Sequence, residues 1–181
     1  RDGRRPDDRQ RPGPRHDGTC FVPDAIANGA TAILSSVEVF VPHDVTLILV
    51  PHVRRALADL ASTFYGRPAD HVATVGVTGT NGKTTVAWLM GALLAAGGRR
   101  AAVLSTVAHL IGSRRLPAAN TTPESVDLQA YFGEMFENGI PCAVMEVSSH
   151  SLHQERVRGI PFQVAAWTNL SDHEHLDYHK T

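Results

Sequence analysis

The stretch "VGVTGTNGKTTVAWLM", from Val75 to Met90, joins an apolar run, a glycine-bounded polar loop and an apolar helix-like segment. A strict G-x-x-x-x-G-K-[ST] phosphate loop ending at Gly82-Lys83-Thr84 needs glycine at position 77, where Val77 stands. The loop is therefore a shortened form, G-T-N-G-K-T-T. Its parts still suit an anion. Gly79 and Gly82 let backbone N–H groups approach without a Cβ in the way, and a helix opening at Lys83 adds its positive end. Lys83 is placed to neutralise β- and γ-phosphates, the Thr84 hydroxyl to coordinate Mg2+, and Thr85 to bond a further phosphate oxygen. The bland alternative is a glycine-rich turn opening an ordinary helix. A buried strand before the loop and a strong helix after it count against that.

Working outward, strand-like and helix-like segments alternate. "VATVGVT" reads as a strand, "KTTVAWLMGALLAAGG" as a helix ending on Gly97-Gly98, "AAVLSTV" as a strand, and "PESVDLQAYFGEMFENG" as a helix with Pro123 at its start. "CAVMEVSS" and "FQVAAWTNL" follow as strands, with a helical turn through "LHQERV" between them. This alternation predicts an α/β fold: right-handed crossovers and a mostly parallel sheet of phosphate-loop type with helices on both faces. Ligands of such sheets sit at the carboxyl ends of the strands, where "TGTNGKTT", "NTTP", "EVSSH" and "TNLSDHEHLDYH" all fall.

Upstream, residues 1–18 alternate Arg with Asp, hold no large apolar side chain and are expected to be disordered. From Phe21, "FVPDAIANGA" reads as a short helix, "TAILSS" and "TLILVPH" as strands, and "VRRALADLASTFYG" as an amphipathic helix stopped at Gly66. "RPADH" reads as a hinge. Expected boundaries are thus 1–18, a small partial α/β domain over 19–68, and a nucleotide-binding domain over 69–181.

With 181 residues, 43% of them apolar, the chain can bury a core. A net charge of -1 gives no general attraction for nucleic acid or anionic membrane, so phosphate recognition has to be local. The cysteines, Cys20 and Cys142, form no C-x-x-C pair and read as packing residues of a reduced, cytoplasmic chain. The apolar run "VAWLMGALLAAGG" is too short to span a membrane.

Glu146 ends an apolar strand on the ligand edge, where phosphate-loop enzymes place a metal-coordinating carboxylate. A solvated strand-end glutamate is the alternative, and Ser148-Ser149-His150 beside it favours a polar site. The loop "SDHEHLDYH" brings His173, His175 and His179 among carboxylates, but no cysteines complete a structural zinc set. Mg2+ held largely by phosphate and water needs only one or two protein ligands, so one histidine beside a carboxylate suffices.

Taken together and in order, "GVTGTNGKTT", "NTTPES", "MEVSSHSLHQERV" and "TNLSDHEHLDYH" resemble the Mur ligases, whose phosphate loop has this shortened form. Within that family the resemblance is to members that add the third residue of the peptidoglycan stem peptide. "PGPRHDGTCFVPDAIANGATAIL" is similar to the end of the family's uridine-nucleotide-binding N-terminal domain.

The resemblance implies that Gly79, Thr80, Asn81, Gly82, Lys83, Thr84 and Thr85 bind ATP. It implies that Thr84, Glu146 and His175 hold Mg2+, with His173 the alternative to His175, and that Lys83, Glu146 and His175 serve catalysis. Thr121, Thr122, Ser148, Gln154 and Arg156 would contact a UDP-N-acetylmuramoyl-dipeptide, with Asn120 supporting their loop. The implied reaction activates a carboxylate as an acyl phosphate, which an amine, diaminopimelate or lysine, displaces as an amide. A monomer acting without nucleic acid or membrane is expected.

Departures are Ser105 and Lys180, where glycine is usual, and a "SDHEHLDYH" loop one residue longer than usual. The chain also stops at Thr181, before the family's carbamoylated lysine and C-terminal domain. It is thus expected to be a piece of a ligase that forms no amide alone. The competing readings are a non-catalytic nucleotide-binding module, or a folylpolyglutamate or cyanophycin synthetase with a similar loop.

Overall fold

The computed structural model describes residues 18–171. The Arg/Asp-rich start and the histidine loop, with His173, His175 and His179, lie outside the described residues. Contacts divide the chain into two units, Arg1–Pro51 and His52–Thr181.

In the smaller unit a 3-10 turn, Gly18–Phe21, leads into α1, Val22–Ala27, with Pro23 in its first turn where a missing N–H costs nothing. Strands β1, Ala32–Ser35, and β2, Thr46–Leu49, pair in parallel. Ile33 and Val45 are buried there.

The larger unit is built on a six-stranded sheet in the order β6-β5-β4-β7-β3-β8. Strands β3 (Ala73–Thr78), β4 (Ala101–Leu104), β7 (Cys142–Glu146) and β8 (Phe162–Trp167) run parallel. A hairpin, β5 (His109–Ile111) and β6 (Arg114–Leu116), extends the sheet antiparallel from β4. This hairpin is absent from the sequence reading. Its signal was the two-residue Gly112-Ser113 turn, with Gly112 at φ 61°, between two very short strands.

Both faces of the sheet are covered at its centre, as the apolar run of β7 requires: all its residues are buried, whereas edge strand β8 is largely exposed. Neighbouring residues point to opposite faces. Val77, Val103 and Val144 pack against Val86, Ala87, Trp88 and Leu94 of α3, Lys83–Ala96. Ala102, Leu104, Ala143 and Met145 instead pack with Leu128, Phe132 and Met135 of α4, Ser125–Glu137. The handedness rule explains the placement. The connection β3-α3-β4 passes over β7 in one direction, and β4-α4-β7 returns in the other, so right-handed crossovers put the helices on opposite faces. In α3, Gly91 lets the helix sit close on the sheet, because a Cβ there would lie 2.5 Å from Val103 Cγ2.

The hinge read at "RPADH" is corrected. Pro68–His71 is a 3-10 turn with Pro68 and Ala69 buried, and it packs against α4. Helix α2, Val53–Phe64, also packs on α4, so it belongs by contact to the larger unit rather than to a domain ending at residue 68. Ion pairs fasten it further: Arg55 to Glu155 at 2.7 Å and Asp59 to Arg158 at 2.7 Å. The Arg55 hydrogen bond holds the Glu155 carboxyl below its usual range.

Candidate functional site

The phosphate loop turns sharply between β3 and α3. Gly79 has φ 131° and Gly82 φ 85°, backbone that an L side chain resists. At α3 the N-cap position is Gly82, so no side chain caps the helix. The amides of Lys83, Thr84 and Thr85, in the first turn, have no intrahelical acceptor. An uncapped helix start opening from left-handed glycine is the cradle a phosphate fills, so the loop fits the triphosphate its sequence implies. Lys83 bends back over the loop, its Nζ donating to Gly79 O at 2.7 Å and Thr80 O at 2.8 Å.

The segment leaving β8 clamps this loop. Thr80 N donates to Asn169 O at 3.0 Å, and Ser171 N donates to Thr80 Oγ1 at 2.9 Å. The Asn169 amide grips the Asn81 backbone from both sides: Oδ1 accepts from Asn81 N at 3.0 Å, and Nδ2 donates to Asn81 O at 3.0 Å. Thr168 Oγ1 donates to Asn81 O at 2.7 Å. The fit is close enough that a Cβ on Gly79 would lie 2.2 Å from Thr168 Oγ1.

Glu146 ends β7 beside the loop, paired in register with Val77 of β3. It is 1% exposed. Thr106 N donates to its Oε1 at 2.8 Å and Thr106 Oγ1 to its Oε2 at 3.2 Å. No Lys, Arg or His nitrogen lies within 4.0 Å of it among the described residues. A buried carboxylate with no cationic side chain beside it among the described residues can be balanced by a metal ion, and Mg2+ asks for few protein ligands, so Glu146 fits that role. Thr84 stands in the first turn of α3, and His175 lies outside the described residues. No cluster of three acidic, histidine or cysteine side chains suited to a metal occurs among the described residues.

Thr121, Thr122, Ser148, Gln154 and Arg156 come together beyond β4 and β7. Thr122 Oγ1 donates to Glu146 O at 2.9 Å and accepts from Ser148 N at 3.2 Å. Ser148 caps α5, Ser149–His153, its Oγ accepting from Ser151 N at 3.1 Å. Arg156 braces the loop before α4. Its Nη1 donates to Thr122 O at 2.9 Å, its Nε to Gln154 Oε1 at 2.9 Å, and its Nη2 pairs with Glu124 Oε1 at 3.0 Å. Asn120 is exposed beside Thr121. Thr121 Oγ1 reaches Thr106 Oγ1 at 3.2 Å, which joins the loop to the carboxylate.

Thr106, Thr168 and Asn169 were missed as site residues by the sequence reading. Their signal is common to all three: a polar residue one or two positions after the last apolar residue of a strand that ends on the ligand edge. His109, on β5, is buried near this network, its Nδ1 without a hydrogen-bond partner among the described residues. Desolvation lowers its pKa, against the opposing pull of Asp127 and Glu146. The smaller unit has its own apolar groove of about 600 Å³ lined by Val22, Pro23, Ile26, Val39, Phe40 and Pro42. No charged side chain lines that groove, so it is not suited to a phosphate.

The Mur ligase middle domain matches the chain over residues 77–181. The UDP-N-acetylmuramoyl-L-alanyl-D-glutamate--2,6-diaminopimelate ligase of Geobacillus kaustophilus is 47% identical over 165 residues, which cover 91% of this chain and 33% of that protein. The protein of the same name from Clostridium perfringens is 43% identical, with 91% and 34% covered. A solved structure of a ligase of that name superposes with TM-score 0.77 at 33% identity, covering 90% of this chain and 32% of its own. At 18% identity and TM-score 0.54, the D-alanyl-D-alanyl-adding ligase of Acinetobacter baumannii shares the fold, with 86% and 31% covered. The chain thus spans about a third of the length of these relatives.

Proposed function

The chain belongs to the Mur ligase family, and from that premise we propose that it is the nucleotide-binding part of an ATP-dependent amide ligase of peptidoglycan precursor synthesis. The acceptor in this reading is UDP-N-acetylmuramoyl-L-Ala-D-Glu. The incoming amine is diaminopimelate, the amino acid in the names of the relatives at 43% and 47% identity. The enzyme works in the cytoplasm as a monomer, and no helix among the described residues is long and apolar enough to cross a membrane.

The observation that carries the reading is the register of Val77 with Glu146, which sets a buried carboxylate beside an uncapped, glycine-opened helix start. Bound there, ATP would supply the phosphoryl group that activates the acceptor carboxylate before the amine displaces phosphate. The first-turn amides of α3 and the Lys83 ammonium bind and orient the phosphates, and Lys83 offsets charge developing in transfer. Thr84 and Glu146 would hold Mg2+ in this proposal, with His175, or His173 in its place, as a third ligand. Thr121, Thr122, Ser148 and Gln154 border the acceptor site, and Arg156 fixes their loop. In-line transfer needs the acceptor held near attack geometry and water excluded. We therefore propose that the 181-residue chain binds ATP but forms no amide unaided.

Calorimetric titration with ATP·Mg2+ tests the nucleotide site. Lys83→Ala removes a charge-assisted contact and should weaken binding by about 1.5–3 kcal/mol. Equal affinity of the two proteins would refute the assignment.

A further inference from the structure

Glu146 is buried, and a single residue addresses both its carboxylate oxygens: Thr106, through its backbone N–H at 2.8 Å and its hydroxyl at 3.2 Å. The hydroxyl has one proton. With that proton given to Glu146, the 3.2 Å contact between Thr106 Oγ1 and Thr121 Oγ1 is made by Thr121 donating. A directed chain results, running from Thr121 on the loop before α4, through Thr106 after β4, to Glu146 at the end of β7.

We propose that Thr106 is a positioning residue that fixes the rotation of the Glu146 carboxylate for the metal and ties it to the Thr121 loop. The proposal rests on the reading of Glu146 as a metal-holding carboxylate. Each carboxylate oxygen offers two acceptor directions, so a donor on one still leaves the other for a cation. Outer hydrogen bonds of this kind set ligand orientation and tune affinity.

The turn that carries Thr106 is itself pinned. Ser105, fully buried, donates from Oγ to Ala108 O at 2.9 Å and accepts there from Ala108 N at 3.3 Å. The same oxygen accepts from Trp88 Nε1 at 3.0 Å. Trp88 lies on α3, the helix that opens at Lys83. The hydroxyl of Ser105 therefore fastens the Thr106 turn to the phosphate-loop helix.

The test measures ATP affinity of the 181-residue chain in Mg2+ and in EDTA, the ratio being the gain due to metal. Thr106→Val keeps the side-chain shape and the backbone N–H but removes the hydroxyl. It should leave the EDTA affinity unchanged and lower the Mg2+ gain by about tenfold or more. Thr106→Ser should restore the gain, and Glu146→Gln should abolish it. If Glu146→Gln keeps the full gain, or the unaltered chain has none, the metal reading itself fails. If Glu146→Gln abolishes the gain while Thr106→Val matches the unaltered chain, the positioning role is overturned. A loss of affinity by Thr106→Val that is equal in EDTA and Mg2+ marks a purely structural role and overturns it too.

Discussion

Replacing Gly79 with alanine probes how tightly the segment after β8 holds the phosphate loop. Two effects add at this position. Backbone at φ 131° is strained for any L residue, at about 1–3 kcal/mol. The new Cβ would also lie 2.2 Å from Thr168 Oγ1 and 2.8 Å from Asn169 O, so the clamp has to retreat. Retreat weakens the Thr168 hydroxyl bond to Asn81 O and the Thr80 N bond to Asn169 O, each contributing about 0.5–1.5 kcal/mol. The expected destabilisation is about 2–6 kcal/mol. Gly82 provides the control, since it has φ 85° but no atom within 4 Å of an added Cβ. Gly82→Ala should cost only the backbone strain, about 1–2 kcal/mol. Urea unfolding followed by tryptophan fluorescence separates the two. Both tryptophans, Trp88 and Trp167, lie in the larger unit, and Trp167 Nε1 donates to Asn169 O at 2.9 Å within the clamp itself. If Gly79→Ala proves no more destabilising than Gly82→Ala, the close packing of Thr168 and Asn169 on the loop does not hold in solution.

Two further outcomes are expected. Trp88→Phe keeps the ring in the core but removes the donor to Ser105 Oγ, and should cost about 0.5–1.5 kcal/mol in urea unfolding followed by circular dichroism; no change would mean that the indole bond is not formed. Burial depresses the His109 pKa below its ordinary 6.5, so the unfolded chain binds its proton first. Its contribution to stability is complete above about pH 6.5 and is lost as the pH falls from there through the lowered folded pKa. Melting temperatures across that range should fall for the native chain and fall less for His109→Leu; parallel curves would refute the assignment.

Much of the architecture is local and can be read along the chain. Glycine and proline punctuate the helices: α3 ends before Gly97-Gly98, and α1 carries Pro23 in its first turn. Period-two and unbroken apolar runs mark β3, β4, β7 and β8, and the G-T-N-G-K-T-T loop announces its own chemistry because consecutive residues build it. The four motifs were also legible as a set, each falling after a strand. Only the tertiary structure decided which strands are neighbours. That β3 lies between β7 and β8 puts Glu146 beside Val77 and sets Thr168 and Asn169 against the phosphate loop. Strand order follows from how two helices cover two faces of one sheet, a balance of burial and crossover handedness summed over the whole unit. No short stretch of sequence records that sum. The same reason moved α2 into the larger unit: an amphipathic helix shows which of its faces is apolar, but the partner that face meets, here α4, comes from a distant part of the chain.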